Sequence, residues 1–406
     1  MAGAWYVQNA TMDTGTGLAL VPAAASSFLY LAVMTLFAFA MLRHGRRGKQ
    51  ENARSPRVTI CKPLAGTDDD LALNLESFAR LRYPSFEILL GVASTEDPAY
   101  QVARAFVARH PEIDARLFIT DPSASVNPKV AQLLGLQRHA RGDVLVISDS
   151  NVRVSPSYLD SLVHELQRPN VGLVTSVFAG TGERSLGAAL ENLQLGTMTA
   201  PAVVAASVLP VRPLTVGKSM AMWRDKLSEV GGLERVGGVL AEDHVLGQMF
   251  LDAGHDVATS LDVVENRNID CTIHRTLERH TRWAKMRRAI VPGAFFLEPL
   301  LSPILVASVA AIAFRSREAA LALLFTVVFQ TVLAHGGLRL LRGHALAWYW
   351  APLEVLRTYL LFFCWMRACL SRRIQWRGHP FLVMRDSVIV PAPPSSWSRL
   401  RAAARV

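Results

Sequence analysis

Nothing in this 406-residue chain reads as a disulfide framework or a metal finger. Its four cysteines, Cys61, Cys271, Cys364 and Cys369, form no CxxC pair, so neither a stapled fold nor a structural zinc site is expected. Basic–aromatic alternation is missing. That argues against nucleic acid as a partner even though Lys+Arg outnumber Asp+Glu, 43 against 33. Internal repeats and low-complexity linkers are missing too. No charge lies between Asp13 and Arg43, and no basic residue precedes the apolar run in that interval. The second absence argues against a cleaved leader, whose apolar core follows a basic stretch.

What is present is apolar surface. Hydrophobic residues make up 51% of the chain and mean hydropathy is positive. Leu18 to Leu42 is long enough to span a hydrocarbon core of about 30 Å as a helix. The basic cluster that follows it (Arg43, Arg46, Arg47, Lys49) predicts an N-terminus outside and a body in the cytoplasm. Three more apolar stretches lie near the C-terminus. Phe295–Phe314 is broken by Pro299 and Pro303, Ala319–Leu338 is the cleanest, and Trp348–Leu370 carries Glu354, Arg357 and Arg367. Glu354 and Arg357, at i and i+3, are placed to pair on one helix face. Three full spans would put the tail outside, whereas Arg367, Arg372, Arg373 and Arg377 argue for a cytoplasmic tail. One segment, the Pro-rich first or the charged last, is therefore expected to be re-entrant or interfacial.

The chain thus divides into an anchor (1–43), a cytoplasmic body (44–290), membrane or interfacial helices (291–370) and a basic cytoplasmic tail (371–406). The body alternates strand and helix patterns. Strands are expected at Arg57–Cys61, Phe86–Ala93, Ala115–Thr120 and Asp143–Ser148, with helices at Leu71–Leu81, Val102–Arg109 and Lys129–His139. That rhythm predicts an α/β fold with a parallel sheet covered by helices. Ligands bind such sheets at the C-terminal strand ends, so functional residues should follow strands directly.

Three acidic sites answer to that rule. The run DVLVIS leads straight into Asp149-Ser150-Asn151, where a carboxylate at the sheet mouth can hold a divalent ion and through it a diphosphate. Glu96-Asp97-Pro98 follows the second strand, positioned to accept hydrogen bonds from a base or ribose. Both are also ordinary turn sequences. Glu242-Asp243-His244 opens a helical run to Ala253 and fits either helix capping or general-base work. His244 is the alternative base. Downstream, Arg279, Arg282, Lys285, Arg287 and Arg288 surround Trp283. Fixed cations there suit a departing diphosphate, or lipid headgroups beside the next apolar segment.

Taken together, the motifs resemble the ceramide glucosyltransferase family of inverting membrane glycosyltransferases. CKPLAGTDDDLALNLESF (61–78), YPSFEILLGV (83–92), EDPA (96–99), DARLFI (114–119) and NPK (127–129) stand in that family's order. SDSNVRV (148–154), VGKSMAMWR (216–224), GGLERVGGVLAEDH (231–244) and RHTRWAKMRR (279–288) follow, and WRGHP (376–380) extends the likeness.

The resemblance implies a GT-A (Rossmann-like) glycosyltransferase domain with transmembrane helices at both ends. It implies Asp97, beside Glu96, at the uridine, Lys129 on the nucleotide-sugar phosphates and Asp149 on the diphosphate. Asp243 would be the catalytic base, and Arg279, Arg282 and Trp283 would form an RxxRW motif near the diphosphate and the acceptor. Many relatives of the fold carry a DxD triplet. Here Asn151 takes the second acid's place, and Asn is a weaker ligand for a hard cation. A divalent cation, Mg2+ or Mn2+, held by Asp149 and Asn151 is the implied cofactor. The implied reaction moves a hexose, most simply glucose, from a UDP-sugar to the primary hydroxyl of ceramide with inversion. The Ala- and Arg-rich composition suggests a bacterial inner membrane. Three alternatives differ in product: a hopanoid glycosyltransferase, a processive polysaccharide synthase and a non-enzymatic lipid-binding scaffold.

Overall fold

The computed structural model describes residues 14–46, 54–67, 69–376 and 379–393, with side chains from Leu20 onward. Arg47 and Lys49 of the basic cluster and Arg377 of the tail lie outside the described residues.

The chain opens with α1 (Thr14–Gly45). Then come β1 (Val58–Pro63), α2 (Leu71–Ala79), β2 (Phe86–Val92), α3 (Pro98–Arg109), β3 (Ala115–Ile119), α4 (Pro128–Gln137) and β4 (Val144–Ser148). Each strand expected from the sequence is present within two residues, because buried apolar runs between turn residues mark them well. The second half holds β5 (Val152–Arg153), α5 (Tyr158–Leu166), β6 (Val171–Thr181), α6 (Leu186–Gln194), α7 (Ala200–Val208), β7 (Ser219–Trp223), α8 (Arg224–Glu229), α9 (Glu242–Asp252) and β8 (Asp256–Arg267).

All eight strands form one sheet in the order β3-β2-β1-β4-β7-β6-β8-β5. The four strands from which the sequence predicts a parallel sheet are parallel, but the whole sheet is mixed. β3, β2, β1 and β4 are parallel. β7, however, lies antiparallel to both β4 and β6, and β5 antiparallel to β8. A strand rhythm predicts crossovers but does not say where the chain returns along a neighbour.

Alternate residues of each strand supply opposite faces. Val58 and Ile60 of β1 pack with Leu75, Phe106 and Leu162 of α2, α3 and α5. Cys61 and Leu89 pack with Leu133 of α4 and Phe250 of α9. The two helical layers fix the ends of β1, β2 and β4 at one edge, and there the candidate site lies.

The remainder comprises α10 (Ile273–Ile290), α11 (Pro292–Leu297), α12 (Pro303–Phe314), α13 (Arg317–Arg342), α14 (Leu353–Leu370), β9 (Arg373–Trp376), β10 (His379–Val383) and β11 (Ile389–Pro391). Among the described residues two helices are long and apolar enough to cross a membrane, Leu20–Gly45 and Arg317–Arg342; the bent pair Pro292–Leu301 and Pro303–Phe314, kinked by 65°, makes three if it is one span. Pro299 and Pro303 explain the break.

α14 behaves differently. It lies along α10, with the Cys364 thiol on the Leu277 carbonyl and Arg288 donating to the Ala368 carbonyl at 2.6 Å. Glu354 and Arg357 do pair, at 2.9 Å, and both are buried between α6 and α13, where Gln330 donates to Glu354 at 2.6 Å. The described residues after α14, 371–376 and 379–393, also contact the body. Strands β9 to β11 form a small sheet that joins the body: Val239 bridges Val388, and the Leu240 N–H donates to the Ser387 carbonyl at 2.8 Å.

Candidate active site

The centre of the site is an ammonium group. Asn127 caps α4, its side chain accepting from the N–H groups of Lys129 and Val130 while its amide donates to the Val239 carbonyl. The cap fixes Lys129 in the first helical turn. From there its Nζ reaches Asp149 Oδ1 at 2.8 Å, Glu242 Oε1 at 2.9 Å and the Gly217 carbonyl at 3.2 Å. Burial pulls the pKa of Lys129 down. The charges of Asp149, Glu242 and Asp243 outweigh that and hold it above the ordinary lysine value.

Asp149 follows β4 directly, as strand chemistry requires. Its second oxygen meets Lys218 Nζ at 3.2 Å. Burial would raise its pKa, but the two lysines override that and hold it well below the carboxylate range. Beneath it lies Lys62, fully buried, donating to Ser148 Oγ at 3.1 Å and to the Asp149 carbonyl at 2.9 Å, with Nζ 3.9 Å from the centre of the Phe78 ring. Burial pushes its pKa down to about 7, with Asp149 opposing.

Asn151 occupies the position two residues on. Its Oδ1 accepts from Lys218 at 3.4 Å, and its amide donates to the Arg267 carbonyl at 3.2 Å.

Asp243 sits in the first turn of α9. Its Oδ2 accepts from the Gly217 N–H at 2.6 Å, and its Oδ1 from the His244 N–H at 2.8 Å. Burial, and then the charge of Glu242, pushes its pKa up to about 6; Lys129 and the two N–H groups oppose this. Gly217 permits the close approach, since a Cβ there would stand 3.0 Å from Lys129 Nζ and 3.1 Å from Asp243 Oδ2. Half-buried His244 has its pKa held below the ordinary imidazole value by burial and by Arg212.

The remaining predicted residues stand elsewhere. Asp97 caps α3, accepting from the Ala99 N–H at 2.9 Å, and also accepts from the Gly66 N–H at 2.8 Å, which ties the loops after β1 and β2 together. Glu96 beside it is exposed. Arg279 is directed at buried Glu191 (3.0 Å) and Asn268 (3.1 Å), and His280 meets the same carboxylate at 2.9 Å. Trp283 packs against the main core, 5.1 Å from the His280 ring and perpendicular to it. Arg282 is half-buried on the same helix. The structure thus brings Lys129, Asp149, Asn151 and Asp243 together. It places Arg279 in a separate buried ion cluster with Glu191 and Asn268.

Sequence reasoning missed three members: Lys218, Glu242 and Lys62. The triplet Val216-Gly217-Lys218 before a strand was a visible signal for the first. Glu242 stood next to a chosen residue, and Lys62 looked like part of a strand.

The eight-stranded sheet with its acidic mouth is that of a GT-A glycosyltransferase. The mannosyltransferase PcManGT from Pyrobaculum calidifontis, solved with GDP-Man and Mn2+, shares the fold: TM-score 0.51 and 19% identity, covering 87% of this chain and 98% of that one. Residues 19–389 match the model of glycosyl transferase family 21, and the chain belongs to that family. Ceramide glucosyltransferase 3 of Caenorhabditis elegans is 28% identical over 292 residues, 72% of this chain and 63% of that protein. Ceramide glucosyltransferase 1 of the same worm is 31% identical over 290 residues, 71% of this chain and 62% of that protein. The match therefore spans less than two thirds of either worm protein.

Replacing Lys129 removes the one group that touches both Asp149 and Glu242. Lys129→Met should cost about 3–5 kcal/mol by leaving the buried Glu242 carboxylate without its cation, while Asp149 keeps Lys218. A thermal melt of the detergent-solubilised protein checks this, and an unchanged midpoint would show that the carboxylates do not need the ammonium.

Proposed function

We propose that this chain transfers glucose from UDP-glucose to the primary hydroxyl of ceramide at a membrane surface, with inversion. The observation that carries the reading is the pair Asp149 and Asp243. Asp149 is paired with Lys129 and Asp243 adjoins Glu242, the other partner of that lysine; one carboxylate is held strongly ionised and the other is poised near pH 6. A general base works best with a pKa close to the operating pH. The family and its worm relatives, which are ceramide glucosyltransferases, support the substrate class.

In the proposed step the carboxylate of Asp243 takes the proton of the acceptor hydroxyl. The oxygen forms a bond to the anomeric carbon as the bond from that carbon to the UDP oxygen breaks. UDP departs with the electron pair on the opposite face, giving a β-glycoside. Lys129 and Lys218 offer fixed positive charge where the diphosphate forms. Asp97 and Glu96 are assigned to the uridine side, and Arg279, Arg282 and Trp283 to the neighbourhood of the diphosphate and the acceptor. Among the described residues no group of three or more His, Cys, Asp or Glu could hold a metal by itself. Asp149 with the Asn151 oxygen fits Mg2+ or Mn2+ in the manner of sites that use one carboxylate and the substrate's own phosphates. A bound cation would supply further neutralisation of the departing diphosphate.

Packing supports a topology. The C-terminal strands bond to the body, so the two share one side of the membrane. The Ile304 N–H donates to Gln330 and only Arg315 and Ser316 separate the two helices, so α12 and α13 form an antiparallel pair. With α12 extended by the bent segment Pro292–Leu301 into one span, the pair accounts for one crossing each way, α1 for a third, and α14 stays with the body. The basic residues at the body end of α13 and beyond, Arg339, Arg342, Arg367, Arg372 and Arg373, make that side the cytoplasm. Of the two segments expected to be irregular, the charged last one is then interfacial.

Asp243→Asn should keep UDP-glucose affinity and lose about 10²–10⁴-fold in transfer rate, measured by isothermal titration and by product mass spectrometry. Normal turnover would remove Asp243 from the role of base. A carboxylate must be ionised to accept a proton, so activity should fall as pH drops below about 6. Glu242→Gln removes the neighbouring negative charge and should move this acid limb to lower pH. A limb that stays put or moves upward would contradict the assignment.

A further inference from the structure

A cavity of about 770 Å³ lies beside the site, between the β5/β8 edge of the sheet and the body end of α13. None of the residues discussed above as donor-binding or catalytic lines it. One residue joins the two places. Asn151, bound to Lys218 on the donor side, exchanges backbone and side-chain hydrogen bonds with Arg267, which is part of the cavity wall.

The wall is amphipathic. Ala179, Val263 and Leu341 line it, and all three belong to the apolar cluster in which α1 and α13 meet the sheet. Arginines and carboxylates supply much of the rest, and they are paired. Arg342 meets Glu183 at 2.7 Å, Arg267 meets Glu265 at 3.2 Å, and Arg153 and Arg267 stand 3.8 Å and 3.9 Å from Asp70. With its guanidinium groups already matched by carboxylates, the cavity has little surplus charge to offer a phosphate.

It does offer hydrogen-bond donors. The Arg342 side chain is 1% exposed, yet its Nε and Nη1 have no partner among the described residues, and neither has Nε of Arg267. Buried donors of this kind are costly unless an acceptor arrives. A neutral oxygen, from a hydroxyl or an amide carbonyl, satisfies them without upsetting the ion pairs.

We propose that this cavity takes the uncharged, hydroxyl- and amide-bearing head of the membrane lipid acceptor. The lipid's apolar part would leave along Val263 and Leu341 toward α1 and α13, and its head would face Arg342 and Arg267. The proposal rests on the reading of the chain as a lipid glycosyltransferase and adds the acceptor's place to it.

The test uses the full-length protein in nanodiscs and a ceramide carrying a photoactivatable diazirine near its amide, with labelled peptides mapped by mass spectrometry. Label is expected within residues 179–184, 263–269 or 341–344, reduced at least fivefold by excess plain ceramide. Val263→Trp fills the cavity and removes no charge. It should reduce labelling equally and raise the KM for ceramide at least tenfold, with the KM for UDP-glucose unchanged. Glucose transfer by the unmodified protein with label only on other segments would overturn the cavity assignment and leave the activity standing. Competable label in the cavity without any transfer would support the cavity and sink the activity.

Discussion

A single buried ammonium, that of Lys129, sets the geometry of the candidate site. Asp149 comes from the end of β4, Glu242 from the start of α9 and the Gly217 carbonyl from the approach to β7. These three elements are far apart in sequence, and like charges would drive the two carboxylates apart. Lys129 holds them within one group's reach. The result is an unequal pair of acids. Asp149 is held ionised by two lysines, while Asp243, one step further from the cations and beside Glu242, keeps a pKa near 6. Opposite perturbation of neighbouring carboxylates is how one site combines charge binding with proton transfer.

Support for this cluster comes from the C-terminal end of the chain. The Leu240 and Ala241 N–H groups donate to Ser387, just ahead of Glu242 and Asp243, and Leu240 shares a small core with Ile374, Phe381 and Ile389. Membrane helices contribute from the other side. Arg342 at the end of α13 is paired with Glu183, and α14 is held against α6 by the bond from Arg357 to Gln194 and against α10 by the Arg288 bonds. The body is therefore joined to α13 at a buried ion pair, which gives the cavity beside Asn151 a fixed wall.

Much of this was legible in the residues. Buried runs such as VLVIS and FEILLGV announce strands, and an acid straight after a strand announces a sheet mouth, so β1 to β4 and Asp149 could be read directly. The antiparallel return of β7 could not, because hydrophobic periodicity carries no information about strand direction. Lys218 and Glu242 were hidden because a charge next to a turn looks solvated until its partner is known. Lys129 finds its partners 20 and 113 positions away. Arg279 shows the same limit from the other direction. Its type suited a diphosphate, but its side chain is engaged by Glu191, 88 positions earlier. Asp97 fills the ordinary capping role that Asp-Pro announces and also ties two loops together, a role the sequence does not show.

The most direct measurement is of the product itself. The protein in nanodiscs would be given UDP-glucose and ceramide, with a hopanoid polyol offered separately, and the lipids analysed by mass spectrometry and by the anomeric proton coupling. A hexosylceramide in the β configuration is the predicted result. A labelled hopanoid alone would contradict the acceptor, and an α-linked product would contradict the single displacement proposed for Asp243.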